Sequence, residues 1–201
     1  MYVWYAAYGA NTDGARLGRY LVRCRDRAAP VESRGVVLGG AVYFATESPV
    51  WGGGRGFYDP DASGSVFARA HLITVGQFSD IAAQEMYREP VADLDVSEAV
   101  ARGRVSFGPG RYETVVCAGD IDGVPLLALT APWAVGEVEF RVPSEAYLRR
   151  IAAGLCASGV WDAGEVAGYL ARCPGALGHW SAADVLALID STSSTPSGEP
   201  G

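Results

Sequence analysis

The chain has 201 residues and a formal net charge of -7, and all 16 of its basic residues are arginine. The absence of lysine excludes Schiff-base catalysis and a Walker A phosphate loop. The acidic balance, with a pI near 4.8, argues against nucleic acid and against an anionic membrane surface as partners. With 49% hydrophobic and 19% charged residues, the chain can bury a sizeable core as one domain. Cys24, Cys117, Cys156 and Cys173 form no C-x-x-C pair, and His71 and His179 stand far apart. No metal site and no cofactor are expected from them. With no basic, apolar leader at the start and no membrane-length apolar run, the reading is a reduced, cytoplasmic protein.

In chain order, residues 3–7 read as a buried strand that ends in Tyr8-Gly9-Ala10-Asn11. Thr12 or Asp13 can cap a helix over roughly 14–25, with Leu17, Tyr20 and Leu21 on one face and Arg16, Arg19 and Arg23 on the other. Residues 36–45 predict one extended stretch. Residues 49–65 are rich in glycine and proline around Trp51, Phe57 and Tyr58, which predicts a long structured loop. Residues 66–73 alternate as a strand. Thr74 with Gln77 makes a capping box for a helix carrying Phe78, Ile81, Ala82 and Glu85 on one side. A short helix is expected at 97–102. A hairpin follows, 112–119 with 124–130, its turn spread over 119–123 and ending in Asp-Gly. Pro143-Ser144 opens a helix with Tyr147, Leu148, Ile151 and Leu155, and two more helices are expected at 165–173 and 182–189. Length and composition give a single domain over 1–190. A disordered tail is expected at 191–201.

Three features carry chemistry. Gly9 at a strand-to-helix junction lets the chain turn sharply, and successive N–H groups there form an anion nest beside a helix N-terminus. Glu85 sits among Ile81, Ala82, Ala83 and Met86, where burial raises a carboxyl pKa toward neutrality. Tyr147, in the first turn of its helix, can present a hydroxyl to a cavity, while Ala152, Ala153 and Gly154 permit close helix packing. Taken singly, each has a plain structural alternative: a turn, an exposed helix-end glutamate, a core aromatic.

In this order, Tyr8-Gly9-x-Asn11, Gln84-Glu85, and Pro143-Ser144 with Tyr147 and Gly154 together make the chain resemble the γ-glutamylcyclotransferase-like family over roughly residues 2–156. The resemblance implies an α+β fold, a mixed β-barrel flanked by helices, with the core at 2–156 and the C-terminal helices, 157–190, as an extension. It implies an enzyme that cyclises a γ-glutamyl amide to 5-oxoproline without metal or cofactor. Glu85 would then be the catalytic acid/base. Tyr8, Gly9, Ala10 and Asn11 would bind the glutamyl group, with Tyr112 and Tyr147 as further pocket residues. The partner so implied is a small γ-glutamyl molecule, neither nucleic acid nor membrane, and the oligomeric state stays open, a homodimer included.

Two positions depart from the pattern. Ala10 stands where a serine is common, and Met86 where a glycine often follows the glutamate, which would reshape the pocket wall. These departures leave a non-catalytic binding module on the same fold as the alternative. A thiol enzyme built on Cys117 or Cys156 lacks a visible histidine partner. The aromatic segment 51–58 could instead serve as an oligomer interface. With no lysine, any salt bridge to a substrate carboxylate must come from arginine, and Arg16, Arg55 and Arg88 lie nearest the motifs.

Overall fold

Strand β1 (Tyr2–Ala7) is the centre of a computed structural model that describes residues 1–193. Strand alternation sends Trp4, Ala6 and Tyr8 into one hydrophobic cluster and Val3, Tyr5 and Ala7 into a second. Both faces of β1 are covered, which is why the segment is an unbroken apolar run.

β1 pairs antiparallel with β5 (Ser65–Thr74) and parallel with β8 (Val124–Thr130). Outside β5 lies β2 (Glu32–Gly39); outside β8 lie β7 (Thr114–Ile121) and then β6 (Arg104–Ser106). The result is an open mixed sheet in the order β2-β5-β1-β8-β7-β6, with β3 (Ala41–Glu47) and β4 (Gly54–Asp59) as a separate two-stranded ribbon. The α+β class with a mixed sheet and flanking helices is therefore present, but hydrogen bonding does not close it into a barrel. Where a barrel ladder would run, the Thr130 hydroxyl stitches β8 to the ribbon. It accepts from Tyr58 N–H at 3.0 Å and donates to the Tyr58 carbonyl at 2.7 Å.

Helices α1 (Gly14–Leu21), α2 (Val75–Glu85) and α3 (Ser97–Arg102) cover the face of Val3, Tyr5 and Ala7. Helices α4 (Glu145–Cys156), α5 (Ala163–Arg172) and α6 (Ala182–Ser193) cover the other. α5 and α6 share that core outright: Val166, Tyr169 and Val185 join the cluster of Trp4. Phe67 of β5 stacks between Trp161 and Tyr169, at 4.4 Å from each ring. Among the described residues, no helix is long and apolar enough to cross a membrane.

The larger differences from the sequence expectation are these. The stretch 36–45 is two strands in different sheets, broken at Gly40, whose φ of +110° suits glycine. The segment 49–65 is not one loop, because it contains β4. Its glycines leave no side chain in the way of the chain that crosses it, and Gly54 N–H donates to the Val142 carbonyl at 2.8 Å. Residues 54–58 are buried there, while Trp51 and Gly53 are only partly buried and Gly52 is exposed. α1 stops at Leu21, not Arg25. Its last turn tightens through Arg23 N–H to Tyr20 O and Cys24 N–H to Leu21 O, and Arg25 N–H goes to Asp80 Oδ2 at 2.7 Å. The hairpin turns on Asp122-Gly123, both at positive φ (53° and 77°), while Gly119 sits at a bulge. α6 runs to Ser193, into the expected tail; the remainder of that tail, 194–201, lies outside the described residues.

Candidate active site

β1 leads into a short 3-10 turn, Ala10–Thr12, and then into α1 with Asp13 as its cap. This junction is fastened from behind through its carbonyl groups. Gly9 O accepts from Thr12 N–H at 3.1 Å and lies 2.9 Å from the Thr12 hydroxyl. Ala10 O accepts from Asp13 N–H at 3.2 Å, and Thr12 O from Arg69 at 3.3 Å. Asn11 O lies 3.2 Å from His71 Nε2. With the carbonyls so engaged, the N–H groups of Gly9, Ala10 and Asn11 have no acceptor among the described residues. All three residues line a cavity of about 430 Å³, within the range of small-molecule sites.

Gly9 is not needed for a sharp turn: its φ of -107° is open to any residue. It is needed for space, because a Cβ there would stand 2.9 Å from the Tyr147 hydroxyl. Gly154 performs the same service for α4, whose backbone lies directly against Thr12 and Asp13.

Glu85, the last residue of α2, lines the cavity, where its Oε1 accepts from Asn11 Nδ2 at 3.3 Å. The same amide donates to Tyr5 Oη at 3.2 Å. Burial pushes the Glu85 carboxyl above the usual range. The Tyr20 hydroxyl, the charge of Arg16, the Asn11 amide and the charge of Arg55 pull the other way.

The two outlying tyrosines meet on one backbone unit of β4. The Tyr147 hydroxyl accepts from Gly56 N–H at 3.1 Å, and the Tyr112 hydroxyl donates to Gly56 O at 2.8 Å. Burial raises both phenols, Tyr147 to about 12. Tyr112 lies before β7 and not on it, at a φ of +60° that a bulky residue rarely adopts. Its hydrogen bond and its stacking on Phe57 at 5.2 Å hold it there. Tyr8 lines the cavity too, but its hydroxyl is committed to Leu129 O at 2.5 Å.

All of the residues expected from sequence therefore share one cavity: Glu85, the run from Tyr8 to Asn11, Tyr112 and Tyr147. Arg16, Arg55 and Arg88 line it as well. Met86 does not reshape this wall; it packs against the cluster beneath α1 and α2. Sequence reasoning missed Tyr5, Tyr20, Trp51 and Gly56. Tyr20 carried a signal, four residues after Arg16 on α1, whose guanidinium lies 5.2 Å from its ring centroid. Gly56 carried none, since it acts through its backbone. Cys117 and Cys156 are not among the lining residues, and burial raises the Cys156 thiol. No group of three His, Cys, Asp or Glu side chains among the described residues could hold a metal ion.

His71 is 1% exposed, and its Nδ1 lies 2.7 Å from Ser33 Oγ. Burial, then the charge of Arg69, lowers its pKa to about 4 from an ordinary 6.5. The unfolded chain takes up this proton near pH 6.5 and the folded chain only near 4. The contribution of the neutral ring is therefore complete above pH 6.5 and is lost as pH falls through that window. At about 1.4 kcal/mol per pH unit, urea unfolding should show a loss of roughly 2 kcal/mol between pH 6.5 and 5. His71→Gln should lack that part of the slope. Equal slopes in the two proteins would refute the assignment.

No protein-family profile and no curated protein matches the sequence. Solved structures do match in shape. A gamma-glutamyl cyclotransferase covers 95% of this chain and 99% of its own length at a TM-score of 0.52 and 14% identity. An uncharacterized protein from Homo sapiens covers 94% and 98% at a TM-score of 0.53 and 16% identity. The molecule is thus an α+β protein with a mixed sheet and a cavity lined by a half-buried carboxyl. Its fold is that of gamma-glutamyl cyclotransferase.

Proposed function

We propose that the protein is a γ-glutamylcyclotransferase-type enzyme. Its substrate is a γ-glutamyl amide, and its products are 5-oxoproline and the free amine. The observation that carries this reading is the meeting, in one cavity, of Glu85 with three partnerless N–H groups on the Gly9–Asn11 turn, joined through the Asn11 amide. The shared fold supports it.

A γ-glutamyl amide holds its nucleophile and its electrophile in the same molecule. Ionised Glu85 takes a proton from the substrate α-ammonium. The freed nitrogen lone pair attacks the side-chain carbonyl carbon and closes the five-membered ring. Glu85 then returns its proton to the departing nitrogen as the original C–N bond breaks, and the second proton shed by the ring nitrogen follows the same route, so the amine leaves as its ammonium. No water, electron or outside group enters. A positioned acid/base group contributes about 10²–10⁴ in rate. The raised pKa suits a carboxyl that must both take and give a proton near neutrality. The N–H groups of the turn hold the α-carboxylate or the developing oxyanion. Tyr147 and Tyr112, fixed by Gly56, wall the chain into its cyclising rotamer.

The test is incubation of the purified protein with γ-glutamyl dipeptides, γ-glutamyl amines and glutathione, with 5-oxoproline measured by mass spectrometry. Release of 5-oxoproline with stoichiometric free amine is expected. Calorimetric binding without any product would show a binding module in its place.

A further inference from the structure

The cavity is basic in an acidic protein. Five arginines and two glutamates line it, although the chain as a whole carries a charge of -7. One of the five, Arg88, is neutralised by Glu113. The other four, Arg16, Arg19, Arg23 and Arg55, have no carboxylate within ion-pair distance among the described residues.

These four form two tiers. Arg55 is 7% exposed and bonds only the Glu47 carbonyl, from Nη2 at 2.8 Å and Nε at 3.2 Å. Arg16 is half-buried between Tyr20 and Trp51, 5.2 and 5.5 Å from their ring centroids, and its buried Nε has no partner. Both act on Glu85 through their charge, so this tier lies beside the proposed chemistry. Arg19, three residues beyond Arg16 on α1, and Arg23, in the turn just after that helix, are exposed and line the same cavity, which places them toward its mouth. A buried guanidinium without a counter-charge is costly unless a ligand supplies one. Ionised Glu85 offsets one of the two inner charges, and the glutamyl α-carboxylate supplies the single further negative charge that the inner tier can absorb. The outer tier is then left for the other half of the substrate.

We infer that Arg19 and Arg23 select the leaving group, and that the amine released is an acidic one, bearing carboxylate or phosphate, in preference to a neutral or cationic amine. This rests on the cyclotransferase reading above and narrows its substrate class.

An isosteric series tests it. In γ-glutamyl-aspartate, γ-glutamyl-asparagine and γ-glutamyl-asparaginamide the leaving amine carries two, one and no negative groups at nearly constant size. γ-Glutamyl-phosphoethanolamine adds a phosphate arm and γ-glutamyl-putrescine a cationic one. The kcat/KM for 5-oxoproline release should rise on the order of tenfold per added negative group at low salt. The preference should shrink in 0.5 M NaCl. In Arg19→Gln/Arg23→Gln the preference for aspartate over asparaginamide should fall about tenfold or more. Whichever of the aspartate and phosphoethanolamine compounds is used best identifies the acidic group. Equal use of the aspartate and asparaginamide compounds, or preference for putrescine, overturns the inference while leaving the cyclotransferase reading standing. Calorimetry on the same compounds separates the opposite case. If none releases 5-oxoproline but affinity still rises with charge and falls in the double variant, the catalytic reading fails and anion selection by Arg19 and Arg23 stands.

Discussion

Glu85→Gln should lower 5-oxoproline release from a γ-glutamyl dipeptide by about 10²–10⁴ while the protein stays folded. The amide oxygen of glutamine can still accept from Asn11 Nδ2, which lies 3.3 Å from Oε1 in the native site. The turn keeps its shape and the substrate keeps its seat. What disappears is the group that changes protonation state, so the loss should fall on kcat more than on KM. The stability of the variant gives a second readout of opposite sign. The folded pKa of Glu85 is raised above its ordinary value, with burial as the largest cause. The native protein therefore binds this proton more tightly than the unfolded chain does. Stability is highest below the ordinary pKa near 4.5 and falls as pH rises through the raised one. At neutral pH the ionised carboxylate is a cost, and glutamine removes it. The variant should unfold at the same temperature as the parent or higher, the pattern of a residue retained for activity at the expense of stability. Unchanged turnover would sink the mechanism. Lost turnover with a collapsed melting temperature would make Glu85 a structural residue instead.

The residues that were legible in the sequence act through side chains at local signals. The Thr74–Gln77 capping box fixed the start of α2, and its apolar face turned Glu85 inward. Asp13 and Ser144 capped α1 and α4 as expected. The Tyr-Gly-x-Asn run marked the end of β1. What could not be read acts through backbone or across long separations. Gly56 ties Tyr112 to Tyr147 with one N–H and one carbonyl, in a segment whose glycine content imitates a loop. β6 is three residues long at a sheet edge and carries no period to detect. Gly9 was read as a turn residue when its task is to leave room for a phenol that lies 138 positions away in sequence. The basic cavity was hidden because net charge averages over a surface that is otherwise acidic.

Gly154→Ala makes the backbone argument measurable. Gly154 lies inside α4, where replacing glycine by alanine ordinarily stabilises a helix by about 1 kcal/mol. Here the sign should reverse. A Cβ at 154 would stand 2.2 Å from Thr12 C, 2.3 Å from Asp13 N and 2.5 Å from Thr12 O. No real Cβ approaches backbone atoms so closely, and none of these three is the free end of a side chain that could swing away. Either α4 must withdraw from the sheet or the turn must shift outward. Withdrawal disturbs Leu148, Ile151 and Leu155, all essentially inaccessible to solvent. A shift of the turn pulls at the Thr12 hydroxyl, which lies 3.2 Å from the Ile151 carbonyl, and at the bond from Arg69. Overpacking of this kind costs about 1–3 kcal/mol, and more where the obstacle is main chain. With main chain as the obstacle the upper end of that range applies, and a net loss of about 2 kcal/mol is expected in urea unfolding once the helix-propensity gain is subtracted. The same displacement moves the Gly9, Ala10 and Asn11 N–H groups relative to Glu85, so whatever protein folds should show a raised KM for γ-glutamyl substrates. An alanine variant as stable as the parent, with unchanged KM, would mean that α4 does not hold the turn in place. The site would then owe its shape to His71, Arg69 and the Asp13 cap alone.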